Sequence, residues 1–193
     1  MATLNATNLK HASSGSNNIV LAADGSTTIS NLSNAGKILQ VIQTVKKDKQ
    51  TIQSASLVDI TGLSVTITPS SASNKVLIRY SLSAFITSNG QYWAMRLLRG
   101  SDSTIFIGDQ GSNSNQTRSS FGSYMSSYVD GRNITQEFLD SPGTDSAVTY
   151  KLQAHTPYSS SYIIGINNSP TNDNYSYMST MVSTITAMEV EHP

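Results

Sequence analysis

The chain has 193 residues, with twelve Lys and Arg against twelve Asp and Glu, and no cysteine. A formal net charge of zero gives no electrostatic reason to expect nucleic acid or an anionic membrane as a partner, and without cysteine the chain has neither disulfides nor thiolate metal sites. Charged residues make up 12% of the chain, about half of the usual share, and Ser, Thr and Asn replace them. This composition favours turns and strand surfaces, so it predicts a β-rich protein with a neutral surface.

Residues 1–35 are predicted to form an N-terminal arm, and residues 36–193 a single β-domain. Within the arm, the sequence IVLAADGSTTI predicts a hairpin of two short strands around an Asp-Gly turn. An isolated hairpin is marginally stable in water, so its apolar side chains need a cover from another subunit or another protein. A disordered tail over residues 1–18 is the alternative. The residues assigned to this anchor or trimer contact are Leu4, Leu9, Ile19, Leu21 and Ile29.

The N-terminus has no basic segment followed by an apolar run, and no stretch approaches the length of an apolar membrane span. We therefore expect synthesis in the cytosol without an ordinary signal peptide, and no membrane insertion. A component released by cell lysis would have the same features.

From Lys37 onward the sequence predicts nine or ten strands at the spacing typical of an all-β sandwich, and no amphipathic helix. A two-sheet jelly roll or related Greek-key sandwich is the most economical architecture, since it buries the alternating apolar faces against each other. The segment KILQVIQTVKK is apolar on both faces, which predicts a central strand. The segment KDKQTIQSAS that follows is predicted to be a polar link.

The sequence carries no recognisable catalytic or metal-binding motif. The three histidines, His11, His155 and His192, have neither the spacing nor the neighbours of a metal site, so we interpret them as surface residues. We expect no cofactor and no metal.

Two suitably spaced carboxylates suffice for glycoside hydrolysis, so acidic residues near predicted strands and turns are candidate catalytic groups. Glu137, Asp140 and Asp145 are more simply interpreted as solvated or turn-capping acids. We therefore expect that the protein is not an enzyme.

Tyrosines among Ser and Asn near the C-terminal part indicate a candidate surface-binding region, because this composition is typical of adaptable binding sites. The residues assigned to it are Tyr158, Tyr162, Asp173, Tyr175 and Tyr177. The alternative is that these tyrosines cover sheet edges or lie between subunits. The loop DQGSNSNQTR, residues 109–118, is a second region of interest for binding.

Several phrases occur in order along residues 36–190: GKILQVIQTVK, VDITGLSVTITPSSASNKVLI, LLRGSDSTIFIGD, FLDSPGTDSAVTYKLQ, YIIGINNS and STITAMEV. This series resembles a family of small β-domains on virion-surface proteins of tailed marine bacteriophages, especially cyanophages. The opening TLNATNLKHASSGSNNIVLAADGSTTI is similar to the N-terminal segment of fibre-type phage proteins. The resemblance implies a virion structural protein, a homotrimer used as a fibre tip, collar or head appendage, although the chain lacks a repetitive shaft.

The leading hypothesis is a tail-fibre or appendage protein at the virion surface, made in the host cytoplasm, that adheres to a host surface glycan or protein. Its arm would anchor it to other virion proteins of the tail, the portal region or the capsid. The alternative is a capsid decoration, cement or head-fibre protein that stabilises the particle without recognising a host. A small depolymerase is a third hypothesis, and it requires an acid pair in a groove.

Overall fold

The computed structural model describes residues 7–13, 15–17, 19–25, 27–29, 36–86, 91–112, 115–125, 131–157, 162–168 and 179–192. Every helix or strand found in these ranges is a β-strand, which confirms the predicted all-β class. In chain order the strands are β1 (Asn8–Leu9), β2 (Ile19–Leu21), β3 (Thr27–Ile29), β4 (Ile38–Lys46), β5 (Gln50–Ile52), β6 (Val58–Ile67), β7 (Lys75–Ile86), β8 (Gln91–Arg99), β9 (Ser103–Ile105), β10 (Phe121–Met125), β11 (Gly131–Asp140), β12 (Val148–His155), β13 (Ile164–Ile166) and β14 (Ser183–Val190).

Two antiparallel sheets form a sandwich, as predicted. The six-stranded sheet has the order β4-β14-β7-β13-β5, and β11 pairs with β7 along its whole length. The five-stranded sheet has the order β10-β8-β12-β6, and β9 pairs with β8. A separate three-stranded sheet, β1-β2-β3, contains the predicted hairpin, and the turn residue Gly25 has a φ of 85°.

The core consists of the alternating apolar side chains of both sheets. β7 contributes every second residue from Val76 to Ile86, and β12 contributes Tyr150, Leu152 and Ala154. Strand side chains alternate between two faces, so a period of two in the sequence places one set of residues inside. The buried faces of the other long strands include Leu63, Val65 and Ile67 of β6 and Trp93, Met95 and Leu97 of β8.

In β6 the alternation between buried and exposed side chains shifts by one residue at Gly62. Ile60 is buried before this residue, and Leu63 and Val65 are buried after it. Gly62 has a φ of 75°, and the pairing of β6 with β12 shifts register in this region. A β-bulge at Gly62 therefore lets one strand keep apolar side chains on the core face on both sides of the irregularity.

β4 is an edge strand, so the prediction of a central strand was wrong. Within the described residues β4 pairs with β14 alone. Its apolar side chains have exposed fractions between 36% and 58%; they are Ile38, Leu39, Val41, Ile42 and Val45. Apolar residues on both faces also fit an edge strand that is covered by something outside the chain, and the sequence pattern does not distinguish the two cases.

The predicted polar link after β4 contains the short strand β5. Its residue Ile52 is buried in the core, and the strand pairs with β13. Three residues with a single apolar side chain are too short for a period of two to appear in the sequence. The strand was therefore missed.

Asn167 lies just after β13 and connects three segments that are distant in the sequence: the end of β4, β7 and the start of β14. It is fully buried with a φ of 55°, and its Nδ2 donates hydrogen bonds to the backbone oxygens of Lys46 (2.8 Å) and Asp48 (3.2 Å). Its Oδ1 accepts a hydrogen bond from Ser183 Oγ at 2.7 Å, and its backbone N–H donates to Ser83 O at 3.0 Å. Asparagine tolerates this left-handed conformation better than most residues, so both its backbone and its amide suit the position.

Glu189 joins β14 to β4 and to the turn between β6 and β7. Its buried carboxylate accepts hydrogen bonds from Ser70 N (2.6 Å) and Oγ (2.7 Å), Asn74 Nδ2 (2.6 Å) and Gln40 Nε2 (2.6 Å). Burial alone would raise the pKa of Glu189, but these hydrogen bonds from Ser70, Asn74 and Gln40 together outweigh it and lower the pKa to about 2. Glu189 is therefore a structural carboxylate that must be ionised in the folded protein.

The stability of the protein is expected to fall below about pH 4.5, because the unfolded state then binds a proton at Glu189 that the folded state does not bind until the pH is near 2. Its folded-state pKa is depressed, so its contribution of about 3 kcal/mol is present above the unfolded-state pKa and is lost as the pH falls towards 2. Urea unfolding should show about 2 kcal/mol of this loss between about pH 6 and about pH 3. Glu189→Gln should be less stable at about pH 6 and should show a smaller pH dependence. The exposed Glu137→Gln is the control, and an equal pH dependence in both variants would contradict the assignment.

Candidate functional site

An open groove on the outer face of the five-stranded sheet has its floor on β8 and β10. Tyr92 and Tyr124 are directly opposite each other in the β8–β10 pair, with ring centroids 4.8 Å apart and an interplanar angle of 50°. They are 54% and 50% exposed. The next outward pair is Ala94 and Gly122, whose small size leaves space beside the rings. Two large aromatic side chains are therefore presented to solvent above a shallow floor.

The groove wall is the loop between β9 and β10, and hydrogen bonds fix its base. Gly108 N donates to Ser119 O at 3.3 Å, and Arg118 Nε donates to Gly108 O at 2.8 Å. Arg96, on β8, donates from its Nε to Arg118 O at 2.8 Å, and Ser120 N donates to Met95 O at 2.9 Å. The wall is thus attached to the same strand that carries Tyr92.

Phe106 holds the other end of this loop. It has a φ of 53°, a left-handed conformation that is unfavourable for an aromatic residue. Its ring stacks on Phe138 of β11 with centroids 5.1 Å apart, and it packs against the core. Burial of the ring offsets the backbone strain, and the reversed backbone directs the chain from β9 into the loop.

The groove has a volume of about 770 Å³, and its lining combines apolar surface with amide and hydroxyl groups. That volume lies in the range of small-molecule binding sites. Besides the two tyrosines, the side chains that define its chemistry are those of Asp109, Asn115, Gln116, Thr117, Arg118, Ser119 and Ser123. Among the described residues the lining carries one acidic and one basic side chain, so the site suits a polar ligand without a large net charge.

Sequence reasoning identified the loop of this groove but not its floor. The loop of residues 109–118 is a predicted binding region, and its residues Asp109 and 115–118 line the groove. Tyr92 and Tyr124 were missed. Tyr92 occupies the outward phase of β8, whose other phase is buried, and Tyr124 is exposed on β10, whose described alternate positions are half-buried. Two large aromatic side chains at outward positions are the signal that could have found them.

One of the predicted surface-binding residues lies in the part of the chain that the structure describes. Tyr162 is half-buried two residues before β13. Tyr158, Asp173, Tyr175 and Tyr177 lie outside the described residues, so their assignment stays a prediction. Pro157, the last described residue before Tyr158, lines the groove.

The predicted anchor residues lie in or before the three-stranded sheet. Leu9 and Leu21 are 40% and 41% exposed, and Ile19 is half-buried. Ile29 is in β3, where only its backbone is described, and Leu4 lies outside the described residues. The exposed leucines are consistent with the need for a cover, and the trimer contact stays a prediction.

His155 is buried, so its interpretation as a surface residue was wrong. It lies at an outward position of β12, where the loop before β6 covers it, and its Nδ1 is 3.0 Å from Ala55 O. Burial lowers the pKa of His155, the hydrogen bond to Ala55 opposes this shift, and Arg96 adds to it. In the part of the chain that the structure describes, no group of three or more acidic or histidine side chains is placed to hold a metal ion.

Asp140 is also buried, although it was interpreted as a solvated or turn-capping acid. Arg99 Nη1 lies 3.1 Å from its Oδ1 and 2.9 Å from its Oδ2, and Tyr150 donates its hydroxyl to Oδ2 at 2.8 Å. Burial raises the pKa of Tyr150, and the hydrogen bond to Asp140 acts in the same direction. The cluster joins β8 and β12 of one sheet to β11 of the other, so its role is structural.

No helix among the described residues has the length and apolar character needed to cross a membrane. No family model and no curated protein sequence matches the chain. Among solved structures it is similar to the infectious bursal disease virus VP2 subviral particle, with 11% identity and a TM-score of 0.36. The match covers 86% of this chain and 41% of the VP2 chain, so the chain spans less than half of that protein. A likeness this weak does not establish a shared function.

Proposed function

We propose that the protein is a structural protein of a bacteriophage virion surface, and that its β-sandwich adheres to a glycan of the host surface through the groove beside Tyr92 and Tyr124. The virion assignment follows from the ordered sequence phrases that resemble tailed-phage surface proteins. The glycan assignment follows from the chemistry of the groove. The N-terminal arm would attach the protein to the particle.

The exposed tyrosine pair is the observation that carries the proposal. An aromatic ring presents an apolar face that packs against the C–H face of a sugar, and the phenol hydroxyl remains able to hydrogen-bond. The surrounding amides and hydroxyls supply donors and acceptors for sugar hydroxyls. Tyrosine has few rotatable bonds, so little conformational entropy is lost when such a side chain binds.

Binding accounts for the groove better than hydrolysis does. Glycoside hydrolysis commonly requires two carboxyl groups on either side of the scissile bond. Among the described residues that line the groove, Asp109 supplies the one carboxylate. Asp140 is engaged by Arg99 and Tyr150 in the interior. We therefore propose a binding protein without catalytic activity, and polysaccharide shortened by the purified protein would contradict this.

Labelling of purified phage particles with gold-tagged antibody against residues 36–193 tests the virion assignment. Gold at the tail or its fibres is the expected result for an adhesion protein. Gold spread over the head would instead favour decoration, and absence of gold from intact particles would contradict a virion-surface role. Particles lacking the gene product are the control for antibody specificity.

Decoration of the capsid is the second candidate function, and the exposed apolar residues of β4 favour it. Such an edge suits a protein that is held in an assembly rather than one that acts alone. Deletion distinguishes the two candidates: normal adsorption with reduced particle stability would favour decoration, and reduced adsorption of stable particles would favour adhesion.

A further inference from the structure

Among the described residues β4 pairs with β14 alone, and its other edge lacks the usual protections of an exposed strand. Soluble proteins protect edges with charged residues, prolines, bulges or very short strands, because an open row of backbone N–H and C=O groups pairs readily with other strands. β4 has nine residues, and from Gln40 to Val45 it contains neither a charged residue nor a proline. The register irregularity of its pairing lies at the other end, beside Ile38. These six residues, together with the buried Lys46 that follows them, are thus available to pair with another strand.

The pairing of β4 with β14 defines which side chains lie on each face of the sheet. Val41, Gln43 and Val45 are opposite Met188, Thr186 and Thr184 of β14. Ile42 and Thr44 are opposite Ala187 and Ile185, which belong to the core. Val41, Gln43 and Val45 therefore lie on the outer face, and an added strand must match the order apolar, amide, apolar.

We propose that β4 pairs antiparallel with β4 of a second copy of the chain, around a two-fold axis at Gln43, so that the six-stranded sheets of two copies become continuous. In this register Val41 of each copy is opposite Val45 of the other, and the two Gln43 side chains are opposite each other. Ile42 of each copy is opposite Thr44 of the other on the inner face. The pairing extends from Gln40 to Lys46.

A second copy suits this edge because the sequence of the strand is complementary to itself. Moving the axis by one residue to Ile42 would place Val41 opposite Gln43, so apolar and amide groups would be mismatched on the outer face. Directly opposite β-branched residues contribute favourably to strand pairing, and amides in the same position hydrogen-bond. The charged residues Lys47, Asp48 and Lys49 follow immediately and end the apolar segment.

The contact is expected to be weak in dilute solution. A pairing of seven residues buries less than the roughly 1,200 Å² that stable complexes need. Copies held close together on a particle have a high effective concentration, so the same contact can be fully formed there. The contact is separate from the arm, and an arm-mediated trimer would use different residues.

A single cysteine tests the register, because the chain has none of its own. In Gln43→Cys the two cysteines would be directly opposite, at a Cβ separation of about 5 Å, which a disulfide can bridge with small adjustment. Mild oxidation should convert this full-length variant to a covalent dimer of twice 20.7 kDa at least about ten times faster than Val45→Cys, whose residue is opposite Val41. Glu137→Cys, exposed on β11 of the same sheet, measures random collision.

Adding charge to the edge tests the contact itself. Val41→Lys with Val45→Lys in the Gln43→Cys background places lysines opposite each other and should reduce cross-linking to the rate of Glu137→Cys. Leu139→Lys, an exposed apolar residue of β11, should leave cross-linking unchanged. The proposal is overturned if Gln43→Cys cross-links no faster than Val45→Cys or Glu137→Cys, or if the lysine pair does not slow it. An edge occupied by the chain's own arm or by another virion protein would give the first of these results.

Discussion

Replacing both Tyr92 and Tyr124 with alanine is expected to reduce the affinity of the protein for its glycan by about 100-fold. Aromatic residues at the centre of a binding site typically contribute about 1 to 2 kcal/mol each, and two rings together give about 3 kcal/mol. The binding of host-surface oligosaccharides, measured by calorimetry or biolayer interferometry, checks this value. Both side chains are about half exposed, so the unfolding free energy should change by less than about 1 kcal/mol.

The matched control for the tyrosines is the double substitution Tyr92→Phe with Tyr124→Phe. It keeps both rings and removes only the hydroxyl groups, so most of the affinity should remain if stacking on the rings is the main contribution. Equal affinity of the alanine variant and the wild type would contradict the assignment of the groove.

Asn167→Asp is expected to destabilise the protein by about 3 to 4 kcal/mol at neutral pH. The substitution preserves the shape of the side chain but replaces an NH₂ group with an oxygen that faces the backbone oxygens of Lys46 and Asp48. An uncompensated buried charge costs about 3 to 5 kcal/mol. Urea unfolding of the variant and the wild type measures the difference.

The pH dependence of this variant distinguishes the charge from a change in packing. An introduced aspartate would keep the donor Ser183 Oγ but would face the oxygens of Lys46 and Asp48 in a buried site, so its pKa should be raised. The penalty should therefore shrink as the pH falls through that raised pKa and the carboxyl group becomes neutral. Asn133→Asp, the same change at an exposed residue of β11, should cost less than about 1 kcal/mol. A penalty for Asn167→Asp that is equal at neutral and acidic pH would show that charge is not its cause.

The fold class could be predicted because most long strands have one buried face. In β7 the residues Val76, Ile78 and Tyr80 alternate with half-buried or exposed residues, and this period of two is visible in the sequence. β4 could not be placed, since apolar residues on both faces fit a central strand and a covered edge equally well. Whether a strand is at an edge depends on the order of distant strands, which local sequence does not specify.

The buried polar residues and the groove could be predicted only in part, because each depends on partners far apart in the sequence. Asp140 and His155 are covered by Arg99 and by the segment around Ala55. The groove requires β10 to pair beside β8 so that Tyr124 lies opposite Tyr92. The sequence contained both tyrosines and the polar loop, but their proximity follows from the strand order.

The central claim is that a glycan binds against the paired tyrosines, and NMR of the ring signals tests it most directly. The wild-type protein, with the rings of its nine tyrosines labelled, would be titrated with oligosaccharides from the surface polysaccharide of the host bacterium. We predict saturable shifts of the Tyr92 and Tyr124 ring signals, identified with the single phenylalanine variants. Saturable binding that leaves both ring signals unchanged, or no binding to any host oligosaccharide, would contradict the account.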